Sequence, residues 1–140
     1  MSARDGERDL NALLASLEPE LRPGTFVSAV VSDQAQLEAL APEATVREDE
    51  GLTVVVPRDR ADALGLDYDY VAGWITLRVH SALDAVGLTA AVSTALADAG
   101  LSCNVIAGYH HDHLLVPADR AADALDVLTE LSRAAVDVGA

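Results

Sequence analysis

Trp74-Ile-Thr-Leu-Arg-Val-His80, Ser81-Ala-Leu-Asp84-Ala-Val-Gly87-Leu-Thr-Ala90 and Gly100-Leu-Ser-Cys103-Asn104-Val105-Ile106 decide how this chain folds. Trp74 to Val79 reads as a strand. An Asp84-x-x-Gly87 elbow turns it into a helix from about Asp84 to Ala99, with Leu88, Val92, Ala95, Leu96 and Ala99 on one face. Gly100 is a natural residue to stop that helix. Ser102 to Tyr109 and His113 to Val116 then form a hairpin around His111-Asp112. A last helix after Pro117 turns Ala121, Leu125, Leu128, Leu131 and Ala135 inward. A glycine that opens a helix directly after a strand lets the backbone approach a small anion closely.

The preceding residues repeat this order. Thr25 to Val31 is β-branched and apolar, a buried strand. Gln34 to Ala41 is a short helix with Asp33 as its cap. Ala44 to Asp49 and Leu52 to Val56 are strands joined around Glu50-Gly51, and a helix runs from Arg58 to about Leu66. Val56-Pro57-Arg58-Asp59-Arg60-Ala61 recurs as Val116-Pro117-Ala118-Asp119-Arg120-Ala121. Matching place in two βαββα series makes duplication a better reading than chance. The expected architecture is α+β: two ferredoxin-like halves, antiparallel sheets with helices on one face. The divisions are 1–23, an N-terminal helix and turn; 24–73, the first half; and 74–140, the second. Leu10, Leu13, Leu14, Leu17 and Leu21 carry the helical spacing of the first segment, ahead of the Pro23-Gly24 turn. Asp67 to Ala72 could supply the closing strand of the first half. The second half has no such candidate before the chain ends, and the halves are free to exchange elements.

The chain has 140 residues, half of them hydrophobic, and a net charge of −14. That composition supports a packed core. All nine basic residues are arginine. So acidic a surface repels phosphate backbones and anionic membranes, which argues against nucleic-acid and membrane partners. Cys103 is the only cysteine, so no internal disulfide forms. Residues 1–9 are charged and carry no apolar leader. A cytoplasmic protein is the expectation.

The second half resembles an ACT domain, a small module that binds amino acids and regulates. The resemblance rests on the apolar strand ending near His80, the Asp84-x-x-Gly87 elbow, the helix ending at Gly100 and the Cys103-Asn104-Val105 strand. With Arg47-Glu-Asp-Glu-Gly-Leu-Thr53 and the run to His113 it extends to small bacterial tandem-ACT proteins and covers roughly residues 10–135. The resemblance implies an effector at the elbow, held by Asp84, Ala85, Val86, Gly87 and Leu88 with Cys103, Asn104 and Val105. Amides around Gly87 would take a carboxylate and Asp84 an ammonium, while Asn104 would donate and accept. Val86 stands where many ACT domains have proline, which loosens the elbow. Two structural readings stay beside this one: Gly87 as a close-packing residue, and Asp84 as half of a capping box with Ser81.

No catalytic motif competes. His110-His111-Asp112-His113 invites a metal, with His111 and His113 on one side of a strand and His80 as a third ligand, yet a hairpin turn explains the run as well. Cys103 on an apolar strand reads as a small hydrophobe. The sequence therefore predicts a non-catalytic, cofactor-free sensor of a small molecule, an amino acid, acting as a homodimer. A ligand-free protein-interaction module is the alternative, and a small metal-dependent enzyme built on His110–His113 a more distant one.

Overall fold

The computed structural model describes residues 9–79 and 86–139. In chain order the elements are α1 (Leu10–Ala15), β1 (Glu18–Leu21), β2 (Phe26–Val31), α2 (Gln34–Leu40), β3 (Ala44–Glu48), β4 (Gly51–Pro57), α3 (Arg58–Ala63) and β5 (Val71–Arg78). There follow α4 (Leu88–Asp98), β6 (Asn104–Ala107), β7 (Asp112–Pro117) and α5 (Ala121–Gly139), the last entered through a 3₁₀ turn at Ala118–Arg120. The strands make one antiparallel sheet in the order β3-β4-β2-β5-β7-β6, and β1 lies against β5. The α+β architecture and the two ferredoxin-like halves are as the sequence predicts, and the halves share a single sheet.

The register explains how that sheet is closed. β5 begins opposite β2, with Ala72 facing Phe26 and Val71 facing Val27. Farther along the same edge it pairs with β1, from Ile75 opposite Leu21 to Arg78 opposite Glu18. Its other edge is taken by β7, from Ala72–Pro117 to Leu77–Asp112. The strand expected at Asp67–Ala72 thus starts at Val71, supplies two residues to the first half and continues as the first strand of the second. The closing strand that the second half lacks comes from β1, before the first half begins. Arg22 N–H donates to the Trp74 carbonyl at 2.9 Å and keeps β1 and β2 in line across the Pro23-Gly24 bulge. Hydrogen bonding crosses both of the limits expected from the sequence, at 23/24 and at 73/74.

This corrects the N-terminal helix. The leucine spacing predicts a helix through Leu21, whereas α1 ends at Ala15 and residues 18–21 are strand. Asp9 caps the start by accepting from Ala12 N–H at 2.9 Å. Pro19 sets the stop, because its ring would clash with the carbonyl four residues back and it has no N–H to give. Leu13 and Leu17 are buried all the same, in one core with Ile75, Leu77, Val92, Leu96, Leu114 and Leu128. The other elements match their predicted positions to within a few residues at their ends; the helix expected from Asp84 is helical from Leu88.

The helices cover one face. Val27, Ala29, Val31, Leu40, Val54 and Val56 form the first half's core beneath α2 and α3. Gly73 lets the last helix sit directly on β5, since a Cβ there would lie 2.7 Å from the Ala121 methyl. The opposite face carries a smaller cluster of Phe26, Val55, Ala72, Trp74 and Leu115. Because Leu13 is fully buried, Leu13→Ala is expected to cost about 2–5 kcal/mol in urea unfolding. Leu10→Ala, at a side chain 37% exposed, should cost far less; equal small losses would mean that α1 stands outside the core.

Candidate functional site

Each half has an elbow where its first strand gives way to its first helix, and the two are built differently. In the first half Asp33 closes the elbow itself, accepting from Ala35 N–H at 2.9 Å with its carboxylate. A helix start leaves amides without partners, and this side chain takes one of them. In the second half the N-cap is Gly87, at φ +100°, which has no side chain to cap with. Among the described residues Ala91 N–H is the first amide of α4 to bond back, to the Gly87 carbonyl at 2.9 Å. The amides of Leu88, Thr89 and Ala90 precede it and have no acceptor within the helix. Val86 is 83% exposed and Leu88 is buried. Asp84 and Ala85, like His80 and Ser81, lie outside the described residues.

Leu10 packs on the elbow: a Cβ at Gly87 would be 3.2 Å from Leu10 Cδ2. Gly87 is therefore needed both for its left-handed backbone and for this contact. Gly87→Ala is expected to lose about 1–2 kcal/mol of stability by denaturant titration, more than any exposed alanine substitution on α4.

Cys103, Asn104 and Val105 are not brought to the elbow. Asn104 pairs with Leu115, which faces Trp74, while the elbow follows the far end of β5. The 11 residues of α4 lie between them, about 16 Å of helix. Asn104 is exposed on the helix-free face, and Val105 points to the other side. Cys103 is half-buried against the second core, and burial pushes its thiol pKa up. The elbow's end of the sheet holds instead the β6–β7 turn, where Gly108 N–H donates to the His111 carbonyl at 2.9 Å.

The histidine run divides at that turn. β7 starts at Asp112, so His111 sits in the turn and His113 on the strand. His110 is exposed, and His111 Nδ1 is buried without a hydrogen-bond partner among the described residues. Among the described residues no three His, Cys, Asp or Glu side chains gather as a metal site.

His113 belongs to a network that the sequence did not reveal. Trp74 Nε1–H is 3.2 Å from both Thr76 Oγ1 and His113 Nδ1. Thr76 Oγ1 lies 3.0 Å from the same nitrogen. Nδ1 thus accepts, and a neutral ring carries its proton on Nε2. Arg22 stacks over this cluster, its guanidinium carbon 4.8 Å from the Trp74 ring and 4.9 Å from Phe26. Burial, then the neighbouring His111, holds His113 below its ordinary pKa of 6.5. Burial moves Asp112 the other way, upward. The signal in sequence was the lone tryptophan at a position alternating with Thr76, but its partner came from a strand 39 residues away.

Comparison with known proteins finds two modules in succession. ACT-domain models match residues 5–73 and 70–130 in tandem, and the chain belongs to the ACT-domain family. A Vibrio cholerae protein of unknown function is 46% identical, with a TM-score of 0.81 over 88% of this chain and 95% of that one. An Agrobacterium tumefaciens protein is similar at 20% identity and TM-score 0.65, over 83% and 89%. The regulatory subunit of aspartate kinase from Thermus thermophilus aligns at 13% identity and TM-score 0.60, over 81% and 95%. At these last identities the likeness is one of fold. No curated protein matches the chain.

The network makes a pH prediction. A histidine pKa lowered by folding gives stability that is whole above the unfolded value and is lost as pH falls from there through the folded value. Protonation also removes one of the two acceptors of the Trp74 N–H, leaving Thr76 Oγ1. Emission from Trp74, the lone tryptophan, should therefore titrate with a midpoint below 6.5. His113→Gln should abolish that titration; an unchanged curve would assign it to another group.

Proposed function

We propose that this tandem ACT protein is a non-catalytic sensor of a small molecule, an amino acid, which binds at the Gly87 elbow. The observation that carries the reading is the contrast between the elbows. Asp33 fills the anion position of the first with a carboxylate of its own chain. The second offers the amides of an 11-residue helix behind a glycine, suited to a ligand carboxylate. Val86 borders it, and Asp84 is the proposed partner for the ligand's ammonium. The likeness to an aspartate kinase regulatory subunit supports a regulatory role.

The output is linkage. Leu10 rests on Gly87, and the chain from Leu10 leads directly into β1, which completes the second half's sheet. A ligand that favours one position of Leu10 would bias α1 and β1 with it. The response then passes to a partner protein or across a homodimer, in the cytoplasm. Among the described residues no helix is long and apolar enough to cross a membrane. The second reading, an interaction module without a ligand, is favoured by an apolar groove between α4 and α5 lined by Ala95, Val127, Leu131 and Ala134.

Thermal unfolding against single amino acids tests the first reading. A ligand at a hundred times its dissociation constant should add about 2.7 kcal/mol, and Gly87→Ala should remove the gain. A wild-type protein indifferent to every amino acid would favour the interaction module.

A further inference from the structure

We infer that the protein has a second ligand site, for a small zwitterion, in the cleft between the β1–β2 bulge and the start of α3. It extends the amino-acid reading above and uses none of the elbow's residues. The cleft measures about 680 Å³, within the ~300–1,000 Å³ of typical ligand pockets. Pro23, Phe26 and Pro57 give it apolar surface, and its charged lining is three arginines, Arg22, Arg58 and Arg60, against Glu43, Asp59 and Asp62. In a chain of net charge −14 this is a locally balanced patch. It neither repels a neutral molecule nor favours a simple anion or cation.

The pairing inside the cleft narrows the ligand. Arg60 is committed, donating to the carbonyls of Leu40 and Ala41 at 3.0 Å each. Arg22 is held by its rings and by Glu43 at 3.4 Å. Arg58 uses Nε alone, donating to Tyr68 Oη at 3.0 Å with Asp62 behind it at 4.0 Å. Its terminal nitrogens have no hydrogen-bond partner among the described residues. Asp62 is held in turn by the Tyr68 hydroxyl at 2.6 Å. Asp59, the next residue, has no hydrogen bond or ion pair among the described residues. One uncommitted guanidinium fork and one uncommitted carboxylate thus both line the cleft, with its apolar surface. A fork of two N–H groups fits a carboxylate bidentately, and Asp59 fits an ammonium. The ligand class with both charges and no net charge is an amino acid or a closely related zwitterion.

The duplication sharpens this. In the second copy of the motif Arg58 is replaced by Ala118, while Asp119 and Arg120 are kept. Arg120 there pairs with Asp123 at 3.2 Å. The arginine fork therefore follows β4 and has no counterpart at the matching place after β7.

Calorimetry with the full chain and the twenty amino acids, one at a time at millimolar concentration, tests the site. Arg58→Gln and Asp59→Asn are compared with Gly87→Ala. Both cleft positions are exposed, so these variants should fold, which their melting curves verify. The inference expects an amino acid whose affinity survives Gly87→Ala and falls about tenfold or more in each cleft variant. An affinity lost in Gly87→Ala and unchanged in both cleft variants would overturn the second site and leave the elbow reading standing. Absence of binding by wild type to any amino acid would overturn both.

Discussion

β5 is the strand on which everything else is hung. Its backbone donors and acceptors are shared among three neighbours: β2 at the start of one edge, β1 along the rest of it, and β7 on the other. A buried strand cannot leave those groups unpaired without a cost comparable to a lost hydrogen bond each. Among the described residues the second half has no closing strand of its own, and β1 keeps the far portion of β5 from being an open edge. The same pairing places α1 against α5, where Asn11 donates to the Ala135 carbonyl and Ser132 to that of Leu17. It also brings Leu10 onto Gly87. The elbow is thus shaped by a segment that precedes the first repeat.

That arrangement lets two similar halves differ in use. Duplication supplies each with a strand, an elbow and a helix, but the chain caps one elbow with Asp33 and leaves the other to a glycine. It puts an arginine fork after β4 and an alanine at the matching place after β7. The helix-free face is similarly uneven. The second half carries the Trp74–Thr76–His113 network there, whereas the first half shows Val30 and Val46 to solvent.

Local patterns were legible in the sequence wherever one element's own residues decide it. The strand–elbow–helix of the second half, the stop at Gly100, the two hairpins and the Asp33 cap follow from periodicity, glycine and capping chemistry. What was hidden depends on partners distant in sequence. The leucine spacing that continues past Ala15 still reports burial, because Leu17, just ahead of β1, and Leu21, within it, face the same core as they would from a helix. Only Pro19 argued otherwise. The run His110–His113 looked like one cluster until the turn at Gly108–His111 separated its members. Cys103, Asn104 and Val105 are close in sequence to α4 but to its wrong end. Their link to the elbow came from family resemblance, and the register puts them elsewhere.

The order of synthesis gives the strand exchange a cost in time. β1 leaves the ribosome about sixty residues before Arg78, the partner of its first residue. At roughly 5–20 residues per second that is a delay of several seconds. Through that interval Leu13 and Leu17 have nothing to pack on, since the core they join is made by β5, α4, β7 and α5. The first half can pair β4 with β2 and β3 meanwhile, but its nascent chain trails an unpaired β1 and the apolar side chains of Leu13 and Leu17 at the N-terminal end. Contacts this distant in sequence slow folding and lengthen exposure to misassociation. The high negative charge of the chain, by keeping such intermediates apart, is the natural counterweight.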